Sequence, residues 1–123
     1  MSLQVLEVAP VLRILDMATA RAFYLDYLGC AVDWEYRFDP GAPLYLQVSR
    51  DGLLLHLTEH AGDAVPGATV FVRVADLHAL HRELAGRHDG PHPGVEAMPW
   101  GSIGMELRDP FGNRIRFDQA PGG

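Results

Sequence analysis

Six histidines and one cysteine are the residues of this chain best suited to metal or nucleophilic chemistry. Their spacing narrows what they can do. His56 and His60 fall four apart in an apolar-rich run, and on a strand that places them on one face but ~13 Å apart, too far to share an ion. His78 and His81 are helical neighbours on a solvent-facing stretch, and His88 and His92 flank a Gly-Pro loop. With Cys30 alone, neither an internal disulfide nor a thiolate zinc cluster can form. Cys30 follows a helix stop and reads as a small buried residue. No Ser-His-Asp or Cys-His constellation stands out. The ten cations are all arginine, whose planar forks suit carboxylate and phosphate groups, although a GC-rich genome accounts for the same bias.

The elements that must position these groups follow from periodicity. Ile103, Met105 and Leu107 alternate with Gly104, Glu106 and Arg108, and Ile115 and Phe117 resume the alternation after Asp109-Pro-Phe-Gly-Asn113. That is a β-hairpin closed by strong turn formers. Val8 to Leu15 reads as a first strand, with Pro10 near its start. Asp16 is a good N-cap for a helix with Ala20, Phe23, Tyr24, Tyr27 and Leu28 on one stripe, stopped at Gly29. Val32, Trp34, Tyr36 and Phe38 form an alternating strand, and Asp51-Gly52 joins two more, Leu44 to Arg50 and Leu53 to His60. After a linker at 61–67 the order repeats. Thr69 to Ala75 is a strand, Asp76 caps a helix carrying Leu77, Leu80 and Leu84 that ends at Gly86, and a strand through Met98 precedes the hairpin.

The expected fold is therefore α+β: two tandem βαβββ modules, about 5–61 and 67–119, in a single domain spanning 1–123. Together they form a curled, cup-shaped mixed sheet with helices on the convex face. The concave groove then has to bind a ligand, receive a partner's sheet, or both. A net charge of −6 argues against nucleic acid. No apolar run reaches the ~20 residues of a membrane span, and no secretory signal is evident, so the expected location is cytoplasmic.

This duplicated order resembles the vicinal oxygen chelate superfamily of glyoxalases, extradiol dioxygenases and bleomycin-resistance proteins. Pro10-Val11-Leu12, Phe23-Tyr24, Leu28-Gly29 and His56-Leu57-Thr58-Glu59-His60 look like its first half. Pro99-Trp100-Gly101 with Arg108-Asp109-Pro110, Gly112-Asn113 and Phe117 is similar to the bleomycin-resistance branch in particular. The resemblance places the superfamily's metal ligands at Ala9, His56, Thr69 and Arg116. Only His56 of these can ligate, and a one-residue shift at the first position supplies just Val8 or Pro10. It therefore implies a binding protein with no cofactor, no metal and no catalytic residue: a homodimer that sequesters a bleomycin-like antibiotic in a groove shared between chains.

The candidate ligand-binding residues are Trp100, Phe71, His56, Arg73, Arg116, Trp34 and Tyr36. Trp100 matches the family motif, Phe71 shares parity with Thr69, and Trp34, Tyr36 and Phe38 fit either core or groove. Arg13, Arg73, Arg114 and Arg116 share the groove face with the metal positions, either serving a ligand or pairing with Glu106 and Asp118. The alternatives are a metal-dependent glyoxalase or dioxygenase with a shifted register, a binder of an anionic aromatic metabolite, and an interaction module whose groove only receives the partner subunit.

Overall fold

The computed structural model describes residues 2–87 and 90–122. Among the described residues, eight strands form two four-stranded mixed sheets in tandem, accompanied by two helices, each sheet ordered first, fourth, third, second strand of its module. In the first module these are β1 (Val11–Arg13), β2 (Ala31–Tyr36), β3 (Tyr45–Arg50) and β4 (Leu53–Thr58). In the second they are β5 (Thr69–Arg73), β6 (Glu96–Ala97), β7 (Ile103–Arg108) and β8 (Arg114–Gln119). β1 runs parallel to β4 and β5 parallel to β8, while the other pairs are antiparallel. The βαβββ duplication read from the periodicity is the observed architecture.

Helix α1 (Met17–Arg21) begins where Asp16 accepts the Thr19 amide, and α2 (Leu77–Ala85) where Asp76 accepts that of Ala79. Each cap satisfies an orphan amide at the point where the apolar stripe begins. α1 then widens into a π-helical stretch, Ala22–Tyr27, which buries Phe23, Tyr24 and Tyr27 together. Gly29, at φ +87°, stops it. Gly86 stays right-handed at φ −79°, so α2 ends without a left-handed residue. The helical stripes pack with Leu12, Ile14, Leu46, Val48, Leu55, Leu57, Leu107 and Ile115 in one core, on the helix-bearing face of the sheets. Strand alternation turns Val11, Gln47, His56, Phe71, Glu106 and Arg116 to the other face.

Several expected boundaries move. β1 is shorter than Val8–Leu15, since Pro10 has no amide to give the ladder and only its carbonyl is used, by His56. β2 stops at Tyr36, leaving Phe38 exposed beyond it, and it carries a bulge between Val32 and Trp34. The strand expected through Met98 shrinks to β6. Both hairpins form as expected. Asp51 and Gly52 take φ +48° and +93°, the paired left-handed conformation that a two-residue loop needs.

The longer hairpin turn, Asp109 to Asn113, also joins the modules. Asp109 is buried and accepts the amides of Phe111 and Asn113, the Asn113 side-chain amide and the Tyr24 hydroxyl. Asn113 in turn donates to the Arg13 carbonyl and accepts the amides of Gly67 and Ala68. Burial, reinforced by the Asp109 charge, pushes the Tyr24 hydroxyl far above its ordinary range. On the helical side, Arg50 binds the Leu28 carbonyl and the Glu83 carboxylate, which also pairs with Arg87.

Candidate functional site

The face of the first sheet turned away from the helices is an aromatic platform. Register aligns Val11, His56, Gln47 and Trp34 across four strands, with Thr58, Tyr45 and Tyr36 in the next row. Trp34 stacks on Tyr45 at 5.9 Å between centroids and 8° between planes. The His56 ring stands edge-on to both, 5.3 Å from each. Parallel stacking and edge contacts of this kind favour the ring quadrupoles.

A chain of hydrogen bonds fixes those rings. Asp33, next to the bulge in β2 that brings Trp34 onto this same face, accepts from the Gln47 side chain and from the Ser49 hydroxyl, both at 3.0 Å. These bonds, Gln47 first, hold its carboxyl below the ordinary carboxylate range. A carboxylate has no proton to give, so Gln47 must present its amide group to Asp33 and its carbonyl to His56 Nε2, 3.0 Å away. In the neutral ring Nε2 therefore carries the proton, and Nδ1 accepts from the Tyr45 hydroxyl at 2.6 Å. Burial raises the Tyr45 hydroxyl, with the Asp63 charge adding to the effect. Both His56 nitrogens are committed.

The second sheet presents a different face. Phe71, Arg116 and Glu106 align in one row, and Arg73, Asp118, Gly104 and Glu96 in the next. Around them lies a cavity of about 600 Å³, walled by Phe71, Trp100 and Met98 and edged by Glu96, Glu106, Arg116 and Asp118. Trp100 and Phe71 are 68% and 56% exposed, which large apolar rings seldom are without a partner. Arg116 pairs with Glu106 at 3.1 Å. Arg73 approaches Asp118 at 3.4 Å and lies over the Phe71 ring at 5.4 Å. The cavity edge thus carries three carboxylates and one guanidinium, a net negative set. A larger cleft, about 840 Å³, runs between the β3–β4 hairpin and the β5–α2 segment. Its lining is mostly apolar, and its Arg50 and Glu83 are already paired.

Of the residues singled out in the sequence, Phe71, Trp100 and Arg116 come together at the smaller cavity, with Arg73 beside Phe71. Trp34 and His56 form the separate platform on the first sheet, and Tyr36, 59% exposed, lies opposite Tyr45. Arg13 turns to the Ile14 carbonyl. His60, His78 and His92 are exposed, and His88 lies outside the described residues. Cys30 is buried, which pushes its thiol up to about 11 and leaves it a poor nucleophile. Tyr45, Gln47 and Asp33 escaped sequence reasoning, as did Met98 and Glu96. Gln47 shares strand parity with Tyr45, and that was the signal available.

The superfamily's metal enzymes need several O or N donors converging on one point, and the residues present do not fit that. Ala9 offers no side-chain donor, Thr69 only a neutral hydroxyl, Arg116 is a paired cation, and both His56 nitrogens are engaged. Among the described residues, no three His, Cys, Asp or Glu side chains gather as an ion would require.

The fold has solved counterparts. A bleomycin-binding protein complexed with bleomycin is 24% identical, with a TM-score of 0.69 over 93% of this chain and 98% of that one. TnmS3, an antibiotic-binding protein from Streptomyces sp. CB03234, is 20% identical, with a TM-score of 0.66 over 96% and 98%. A lactoylglutathione lyase from Agrobacterium tumefaciens is 19% identical, with a TM-score of 0.67 over 95% and 96%. Such likenesses share a backbone across binding proteins and an enzyme, and at these identities they show the fold alone. No curated protein sequence matches the chain. The family model described as "glyoxalase superfamily protein" matches residues 2–123. The chain belongs to the glyoxalase superfamily.

Proposed function

We propose that this protein binds a small planar aromatic molecule bearing a positive charge and holds it without chemical change, as an antibiotic-sequestering protein would. The observation that carries this reading is the cavity of the second sheet. Two exposed rings, Phe71 and Trp100, stand over an edge of three carboxylates and one guanidinium. An apolar pocket with a few convergent polar groups is what a ligand site requires, and cations sit favourably against aromatic faces.

The arginines support a cation over an anion. Arg116 already faces Glu106, and Arg73 faces Asp118 and the Phe71 ring, so an anionic aromatic would have to displace a carboxylate from each. The described solved relatives that bind bleomycin and other antibiotics make that ligand class the natural one to try. In this reading the working form is a cytoplasmic homodimer. The exposed Trp34 and Tyr36 of edge strand β2, with Phe38 beyond it, complete a groove shared between two chains. No cofactor takes part.

The test is a thermal-shift titration of metal-stripped protein with bleomycin, beside anionic aromatics and divalent metals. A ligand at a hundred times its dissociation constant adds about 2.7 kcal/mol of stability. Stabilisation by bleomycin without metal is expected. Stabilisation by Zn²⁺ or Ni²⁺ alone would return the chain to the metal enzymes of its superfamily.

A further inference from the structure

The carboxylate of Asp118 is 4% exposed, yet it is poorly served by its surroundings. Ser102 donates its hydroxyl to Oδ2 at 2.7 Å. Among the described residues nothing hydrogen-bonds Oδ1, and Arg73 stands 3.4 Å away outside hydrogen-bond geometry. A buried carboxylate oxygen in this condition is costly, because desolvation is not repaid by a donor. Most buried polar atoms have a partner, so an orphan marks a place that something else completes.

The surroundings suggest what completes it. Asp118 borders the cavity walled by Phe71 and Trp100, and directly across the ladder from it stands Gly104. No side chain covers Asp118 from that strand. The space is filled by Met98, whose terminal methyl lies 2.6 Å from where a Gly104 Cβ would stand. Met98 is an unbranched, adaptable filler, and Arg73 is 59% exposed, so both covers can move aside at little cost. The floor beneath them, β8 paired to β5 and β7, cannot.

The geometry points to Asp118 as the specificity-determining residue of the cavity: its Oδ1 receives a protonated nitrogen of the ligand. Ser102 holds the other oxygen in place, and the ligand's ring lies between Phe71 and Trp100. Arg73 is the internal competitor that occupies this position when no ligand is bound. The inference rests on the ligand-binding reading above and adds to it the residue that selects for charge.

The test compares two planar probes of nearly the same shape: 9-aminoacridine, a cation at pH 7, and acridine, which is neutral there. Binding is read by tryptophan fluorescence quenching, with bleomycin stabilisation as a third arm. The wild type is expected to prefer the cation. Asp118→Asn should weaken the cation by roughly tenfold or more and leave acridine unchanged, as loss of a charge-assisted hydrogen bond implies. Arg73→Gln removes the competitor and should tighten the cation severalfold, which also keeps the inference testable if the Asp118 variant folds poorly. Equal losses for both probes would make Asp118 a merely structural residue and overturn the assignment. Unchanged selectivity in Asp118→Asn would overturn it too, while leaving the ligand-binding reading standing. Failure of all three ligands on the wild type would sink that reading, and this one with it.

Discussion

The sheet faces turned away from the helices occupy equivalent places in a duplicated fold and have been built to opposite ends. Register makes the equivalence concrete: Val11 pairs with His56 as Phe71 pairs with Arg116, and Arg13 with Thr58 as Arg73 with Asp118. On the first sheet the polar groups close on one another, from Tyr45 through His56 and Gln47 to Asp33. On the second they are ion pairs around an open cavity, and one buried oxygen remains without a donor. Thr58 is buried and finished by Asp63, whereas Asp118 is buried and unfinished. The helix caps, by contrast, are the same residue in both halves, Asp16 and Asp76. The two halves agree in what folds the module and differ on the face turned away from the helices. The first network is closed on itself, and the second leaves polar groups open to a partner.

That contrast can be broken most forcefully at the joint that makes the faces neighbours. Asn113→Ala strips partners from the Arg13 carbonyl, the Gly67 and Ala68 amides and the Asp109 carboxylate at once. The Arg13 carbonyl and the two amides are partly buried, and Asp109 keeps three other bonds. At about 1–3 kcal/mol for a buried orphan, a loss of roughly 3 kcal/mol is expected, measured by urea denaturation. A loss below about 1 kcal/mol would mean the modules hold together without this turn.

Next come the two tryptophans, which should behave oppositely. Trp100→Ala is expected to weaken ligand binding by on the order of tenfold and to leave stability within about 0.5 kcal/mol, because the ring is mostly exposed. Trp34→Ala removes a stack on Tyr45 and an edge contact with His56, and should cost about 1 kcal/mol of stability. Paired melting and titration curves decide the matter. If Trp34→Ala proves as silent on stability as Trp100→Ala, the first face is not a finished wall.

The smallest effect expected is on the acid limb. A hydrogen bond from Arg50, aided by its charge and that of Arg87, holds the Glu83 carboxyl below its ordinary value of 4.5. A depressed folded-state value means the contribution is present above pH 4.5 and fades as pH falls below it. Glu83→Gln should therefore lower Tm slightly at neutral pH and converge with wild type toward pH 3. Parallel Tm curves for the two proteins across that range would exclude Glu83 as the linked group.

Where the sequence was legible, one local signal decided the outcome. Asp16 and Asp76 announce helix starts, Asp51-Gly52 a two-residue turn, and Leu77 and Leu84 a buried stripe, all within a few residues. The site was less so, because its grouping depends on register between distant strands. Parity put Phe71 and Arg116 on one face, but only the β5–β8 ladder sets them side by side. The bulge that sets Val32 toward the core but Trp34 and Tyr36 on the opposite face left no mark in the alternation of the three. Nor does any local pattern show that Asp118 is buried while Arg116, two residues earlier, is exposed.

The Asn113 joint also bears on the order in which this chain is made. Arg13 receives its side-chain bond from a residue 100 positions later, and Tyr24 finds its acceptor 85 positions later. A chain emerging from the ribosome in sequence therefore carries a first module with an unanswered carbonyl and hydroxyl until the last hairpin appears. The first half can complete these two bonds only once the second has been made. A duplicated architecture that looks divisible on paper is tied together by bonds that only its last hairpin supplies.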